Sequence, residues 1–141
     1  MSQKFTVLFD LDGTLVDTAP DLMVAHNHVM KKFGYKERNF SDIKKLAGGG
    51  SRAMLKKSIH AIAELSGKIK KTDEKVEEEM TKEFIDFYSK NINTKSKLIT
   101  GSLEFLNWCK NNSISMAVCT NKQEHLSVDL LKKIKIYDFF E

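Results

Sequence analysis

The chain has 141 residues, enough to bury one hydrophobic core and too few for two independent domains. Hydrophobic residues make up 41% and charged residues 30%, a balance that excludes an intrinsically disordered chain. The net charge of +4 comes from 23 basic and 19 acidic residues spread along the whole chain. No basic block is interleaved with aromatics, so no nucleic-acid partner is expected.

The N-terminal apolar run is too short for a signal peptide or a membrane span, so no membrane association is expected either. Cys109 and Cys119 lack the spacing of a metal or redox motif and lie in apolar segments. They are read as reduced core cysteines of a cytoplasmic protein.

Residues 5–9, Phe-Thr-Val-Leu-Phe, predict a short strand buried on both faces, as in a parallel sheet covered by helices. Asp10 to Asp17 follow as a polar loop containing Gly13. Thr18 opens a helix with Pro20 in its first turn, where the missing N–H is harmless, and Asp21 suits the helix dipole. Leu22, Met23, Val29, Met30 and Phe33 form its apolar stripe, and Gly34 ends it. A short helix capped at Ser41 stops at Gly48, Gly49 and Gly50. Ser51 then caps another, with the stripe Met54, Leu55, Ile59, Ile62 and Leu65. A lysine-rich connector over 66–73 leads to a helix from Asp73 carrying Val76, Met80, Phe84, Phe87 and Tyr88. Residues 18 to about 90 are therefore amphipathic helices with no strand among them.

The pattern then changes. A helix capped at Ser102 precedes a second buried strand, Ile-Ser-Met-Ala-Val-Cys-Thr over 114–120. Its polar stop is Thr120-Asn121-Lys122, followed by a helix with Leu126, Leu130, Leu131 and Ile134 inward. Two such strands in one sheet are parallel and open their C-terminal ends on the same edge, where open α/β sheets bind ligands. One end carries Asp10-Leu11-Asp12 and the other Thr120-Asn121-Lys122.

Asp10 and Asp12 are two positions apart, so in an extended stretch they point the same way. Crowded carboxylates repel one another unless a cation neutralises them, and a hard divalent ion, Mg²⁺ above all, suits oxygen ligands. One carboxylate then attacks phosphorus while the other handles the proton of the leaving group and of water. Gly13 permits a sharp turn beside the site and the Thr14 hydroxyl holds the loop. Thr120 donates to a phosphoryl oxygen, and backbone N–H groups near Leu11 and Asn121 complete an anion cradle. An isolated Asp-x-Asp merely ends a strand; the full string through Asp17 is too long for that reading.

"VLFDLDGTLVDTAPDL" resembles the first motif of the haloacid dehalogenase superfamily, in its phosphatase branch, and "MAVCTNK" resembles the second. "LVDTAPDL", "LAGGG" and "TNK" are most similar to the phosphoglycolate phosphatases of that superfamily. The resemblance implies a Rossmann-like α/β core with a parallel sheet over 1–17 and 92–141, only its first part present, and an inserted helical cap over 18–91. It implies Asp10 as the nucleophile that forms an aspartyl-phosphate, and Asp12 as the general acid and then base. It further implies the Asp10 carboxylate and the Asp12 backbone carbonyl as Mg²⁺ ligands, and Thr120 as the phosphate clamp. Superfamily members that cleave carbon–halogen or carbon–phosphorus bonds lack an aspartate at the position of Asp12, which favours phosphoryl transfer.

The implied substrate is a small phosphorylated metabolite resembling 2-phosphoglycolate. A sugar-phosphate mutase and a non-catalytic remnant are the alternatives on the same motif. Gly48 to Gly50 with Arg52 read equally as a cap loop, Arg52 pairing the substrate carboxylate, and as a helix-ending turn with a surface arginine. Gly49 and Arg52 are thus the substrate-binding candidates outside the core. Lys122 reads either as a residue lining the site or, the favoured reading, as a solvated loop lysine, and His26, His28, His60 and His125 read as surface or helix-face residues. The superfamily's later motifs, a lysine before proline and a Gly-Asp acidic cluster, have no counterpart after Thr120; the single proline is Pro20. "KLITGS" also departs from the aromatic-Pro-Gly of the phosphoglycolate phosphatases. The chain is therefore expected to depend on a C-terminal segment or another chain.

Overall fold

The computed structural model describes residues 5–46, 49–65 and 73–140. Gly48, the connector over 66–72 and the side chains of Ile62 and Leu65 lie outside the described residues. In chain order the elements are β1 (Thr6–Phe9), β2 (Val16–Asp17), α1 (Ala19–Lys32), α2 (Phe40–Leu46), α3 (Ser51–Leu65) and α4 (Glu74–Lys90). They continue with β3 (Lys97–Leu98), α5 (Ser102–Asn111), β4 (Ser115–Val118), α6 (Glu124–Lys133) and a 3₁₀ turn over Tyr137–Phe139. The chain divides into two compact units, Met1–Thr18 with Asn93–Glu141, and Ala19–Ile92.

In the first unit β1 and β4 pair in parallel, from Thr6↔Ser115 through Phe9↔Val118. Phe9 is buried against the edges of Phe105 and Phe140, at ring distances of 5.9 and 6.0 Å. β1 is not buried on both faces: Thr6 and Leu8, on the face opposite Phe9, are exposed, Leu8 at 66%. Alternate residues of a strand point to opposite faces, and the described aromatic packing lies on the Phe9 side. The stretch from Asp10 to Asp17 is also more than a polar loop. Leu11, Leu15 and Val16 are buried, and β2 pairs antiparallel with β3. The Leu11 carbonyl accepts the amides of Leu15 and Val16, each at 3.1 Å, while the Gly13 amide donates to the Val16 carbonyl at 2.8 Å. Gly13 makes this tight winding feasible at φ +78°, a region that side chains with a Cβ resist.

Two further expectations are corrected here. Cys109 is buried, but Cys119 lies just past the last residue of β4 and is exposed. α5 has no side-chain cap: Ser102 is its first residue and Gly101, at φ +90°, precedes it.

The second unit is helical. α1 and α3 each pack on α4, burying Leu22, Val29 and Met30, then Met54, Leu55 and Ile59, against Met80, Phe84 and Tyr88. The Phe84 and Tyr88 rings stack at 5.6 Å. In α1 the buried stripe takes in Ala25 and His26, leaving Met23 and Phe33 half-buried. α2 is capped by Asn39, whose Oδ1 accepts the Asp42 amide at 3.0 Å and the Ser41 hydroxyl at 2.7 Å, not by Ser41 itself. α4 is capped by Asp73, which accepts the Lys75 amide at 3.1 Å. Among the described residues no helix is long and apolar enough to cross a membrane.

His26 is the one histidine the structure moves from surface to core. It is fully buried; Nδ1 lies 3.1 Å from Asn27 Oδ1, and Nε2 has no hydrogen-bond partner. Asn27 in turn brackets Arg38, donating to its carbonyl at 2.8 Å and accepting its amide at 2.9 Å. Burial pushes the imidazole pKa below its ordinary 6.5; the Asn27 bond opposes the shift and the Arg38 cation adds to it. His28 stays half-exposed, stacked on Phe87 at 4.0 Å and 2.8 Å from Glu83, which also pairs with Lys32.

The sign of the His26 effect follows from linkage. Below the ordinary value the unfolded chain binds a proton that the folded chain refuses, so stability is complete above about pH 6.5 and is lost as pH falls. Urea denaturation between about pH 7.5 and pH 5 should show this decline, and His26→Leu should flatten it. An equally steep decline in His26→Leu would contradict the assignment.

Candidate active site

The parallel pairing brings the ends of β1 and β4 together. The Cys119 amide donates to the Phe9 carbonyl at 2.7 Å, so Asp10 leaves one strand beside the point where Thr120 leaves the other. Asp10 is exposed, and its Oδ1 accepts the Leu11 amide at 2.7 Å. That amide, expected to face an anion, is therefore engaged with Asp10. The Leu11 side chain is fully buried and anchors the turn beneath the carboxylate. On the opposing loop the half-buried Thr120 accepts the Lys122 amide on its hydroxyl at 3.2 Å, and Asn121 is exposed.

Asp12 has a different environment. Its Oδ1 accepts the Thr18 hydroxyl at 2.7 Å and lies 3.0 Å from Lys122 Nζ. The Lys122 side chain is 4% exposed and that of Asp12 20%. Of the two readings of Lys122, the solvated loop lysine is thus overturned, and the side chain lies against Asp12. Burial pushes its ammonium pKa below the ordinary lysine range, opposed by the charges of Asp12 and, further off, Asp10. The hydroxyl that reaches the acidic pair belongs to Thr18, which is 1% exposed, whereas Thr14 is exposed. The sequence carried a signal for Lys122. It stands two residues beyond Thr120, the same offset that sets Asp12 beside Asp10.

A family model described as haloacid dehalogenase-like hydrolase matches residues 7–141. The chain belongs to this family. A phosphoglycolate phosphatase of Caulobacter vibrioides is 35% identical over 136 residues, covering 96% of this chain and 55% of that protein. A phosphoglycolate phosphatase of Agrobacterium fabrum is 35% identical over 133 residues, covering 94% of this chain and 54% of the relative. The chain thus spans about half the length of the curated relatives it matches. The crystal structure of a predicted phosphoglycolate phosphatase from Haemophilus somnus matches with a TM-score of 0.87 at 25% identity. That match covers 98% of this chain and 60% of the other. The α/β architecture, with its parallel pair and helical insertion, is therefore that of the haloacid dehalogenase-like hydrolases.

Mg²⁺ is the metal implied for this family, and the donor set accommodates it in part. Asp10 presents an exposed hard-oxygen carboxylate. Oδ1 of the Asp12 carboxylate is engaged by Lys122 and Thr18. Among the described residues no three His, Cys, Asp or Glu side chains form a cage. Mg²⁺ ordinarily uses one or two carboxylates with substrate phosphate and water, so Asp10 fits without one. Gly49 and Arg52 belong to the helical unit. There Arg52 lies 3.3 Å from Glu74 and lines an open groove of about 470 Å³ with Thr81, Lys82 and Ile85.

Thr18→Val removes a hydrogen bond to a charged group and should lower stability by about 1–3 kcal/mol in chemical denaturation. Thr18→Ser should recover most of the loss, and a Val variant of unchanged midpoint would show the bond to be idle.

Proposed function

We propose that this chain carries the nucleophile and the acid–base group of a Mg²⁺-dependent phosphate monoesterase, acting on a small phosphorylated metabolite of the 2-phosphoglycolate kind. The observation that carries the reading is the unequal treatment of two neighbouring acids. Asp10 is exposed and accepts the adjacent Leu11 amide, whereas Asp12 is held by Thr18 and Lys122. Neighbouring carboxyl groups in distinct environments suit one to attack and the other to transfer protons. The naming of relatives as phosphoglycolate phosphatases supports the substrate class.

In this reading an Asp10 oxygen attacks phosphorus and the ester P–O bond breaks, giving an aspartyl-phosphate. Asp12 gives a proton to the departing oxygen. It then takes one from the water that attacks phosphorus, releasing inorganic phosphate and restoring the Asp10 carboxylate. The Thr120 hydroxyl and the Asn121 amide hold the phosphoryl oxygens. Mg²⁺, held by the Asp10 carboxylate and the Asp12 carbonyl, supplies charge neutralisation for the phosphoryl group. Arg52, in the helical unit, pairs with Glu74 at 3.3 Å. Two free thiols suit a reducing, cytoplasmic setting.

The test is phosphate release from 2-phosphoglycolate with and without Mg²⁺. Asp10→Asn should lower the Mg²⁺-dependent rate by roughly 10³-fold or more. Undiminished release by that variant would remove Asp10 as nucleophile. Return of the phosphoryl group to substrate rather than water would make the chain a mutase.

A further inference from the structure

A buried ammonium at the strand ends calls for an explanation that stability does not provide. Withdrawing a lysine head group from water costs several kcal/mol, and well-packed apolar residues serve a core at least as well as an ion pair. Yet Lys122 is 4% exposed in its side chain, and its Nζ is 3.0 Å from Asp12. The contact is specific in geometry as well as charge. Lys122 comes from the loop after β4 and Thr18 from the residue before α1, and both meet the same oxygen, Asp12 Oδ1. Two contacts from separate elements, both on Oδ1, hold the carboxylate in place. The Lys122 amide also donates to the Thr120 hydroxyl, at 3.2 Å, so one residue touches both loop ends.

We propose that Lys122 is a positioning residue for Asp12, holding its carboxylate where it exchanges a proton with the leaving oxygen and with water. The proposal rests on the phosphatase reading above, in which Asp12 is the proton carrier. Because Lys122 acts through Asp12 and not on substrate, its loss falls on kcat and leaves KM nearly untouched. Residues that work as one unit are not additive, so its loss also has no effect once Asp12 is disabled.

The experiment is steady-state kinetics on the full chain with Mg²⁺ and 2-phosphoglycolate, each variant being checked for cooperative unfolding. Lys122→Met should lower kcat by roughly tenfold or more with KM within about threefold, and Lys122→Arg should restore most of the rate. In an Asp12→Asn background, Lys122→Met should add no further loss. Where Lys122→Met fails to fold, Lys122→Gln is read in its place. An unchanged kcat, a rise in KM alone, or losses that multiply with those of Asp12→Asn would overturn the proposal and leave the phosphatase reading intact. A wild-type chain that releases no phosphate would overturn both.

Discussion

The parallel pairing of β1 with β4 is the constraint on which the site depends. Four residue pairs set the register, and a slip of one would reverse every side chain on the strand, turning Phe9 outward and Leu8 inward. It would also move Asp10 away from Thr120, because Asp10 follows the paired Phe9 directly and Thr120 lies two residues past the paired Val118. The two strands lie far apart in sequence, so closing that loop is opposed by chain entropy and must be offset by packing. Burial of Phe9 against Phe105 and Phe140, with Met116 buried on β4, supplies that packing.

Electrostatics then divides the labour between two similar side chains. Asp10 and Asp12 are the same residue type two positions apart, but the turn wound around Leu11 sends them into different surroundings. Asp10 is exposed and met by a backbone amide, and Asp12 by a full positive charge and a hydroxyl. A charge pair with little solvent around it is screened far less than a surface pair. The contrast with Glu83 is instructive: its partners Lys32 and His28 are largely in water, where such pairs contribute little.

Much of the fold was legible from periodicity. The helical positions of α1, α3 and α4 and the apolar runs of β1 and β4 follow from spacing alone, as does the start of α4 at Asp73. Departures arise where cover, rather than pattern, decides burial. Leu8 reads as core because it stands in an apolar run, yet it lies on the face away from the described aromatic packing. Leu11, Leu15 and Val16 look like interruptions of a polar loop, yet together they wind it into a turn that ends in β2.

By itself the sequence determined the acidic pair, the family to which it belongs and the sites of the two strand ends, because these depend on residue type and local spacing. Tertiary structure alone decided which acid is paired, that Lys122 and Thr18 reach it, and that His26 is sealed in the core. The physical reason is that a charge's partner and a side chain's solvent come from residues distant in the chain. Periodicity within one segment does not encode them.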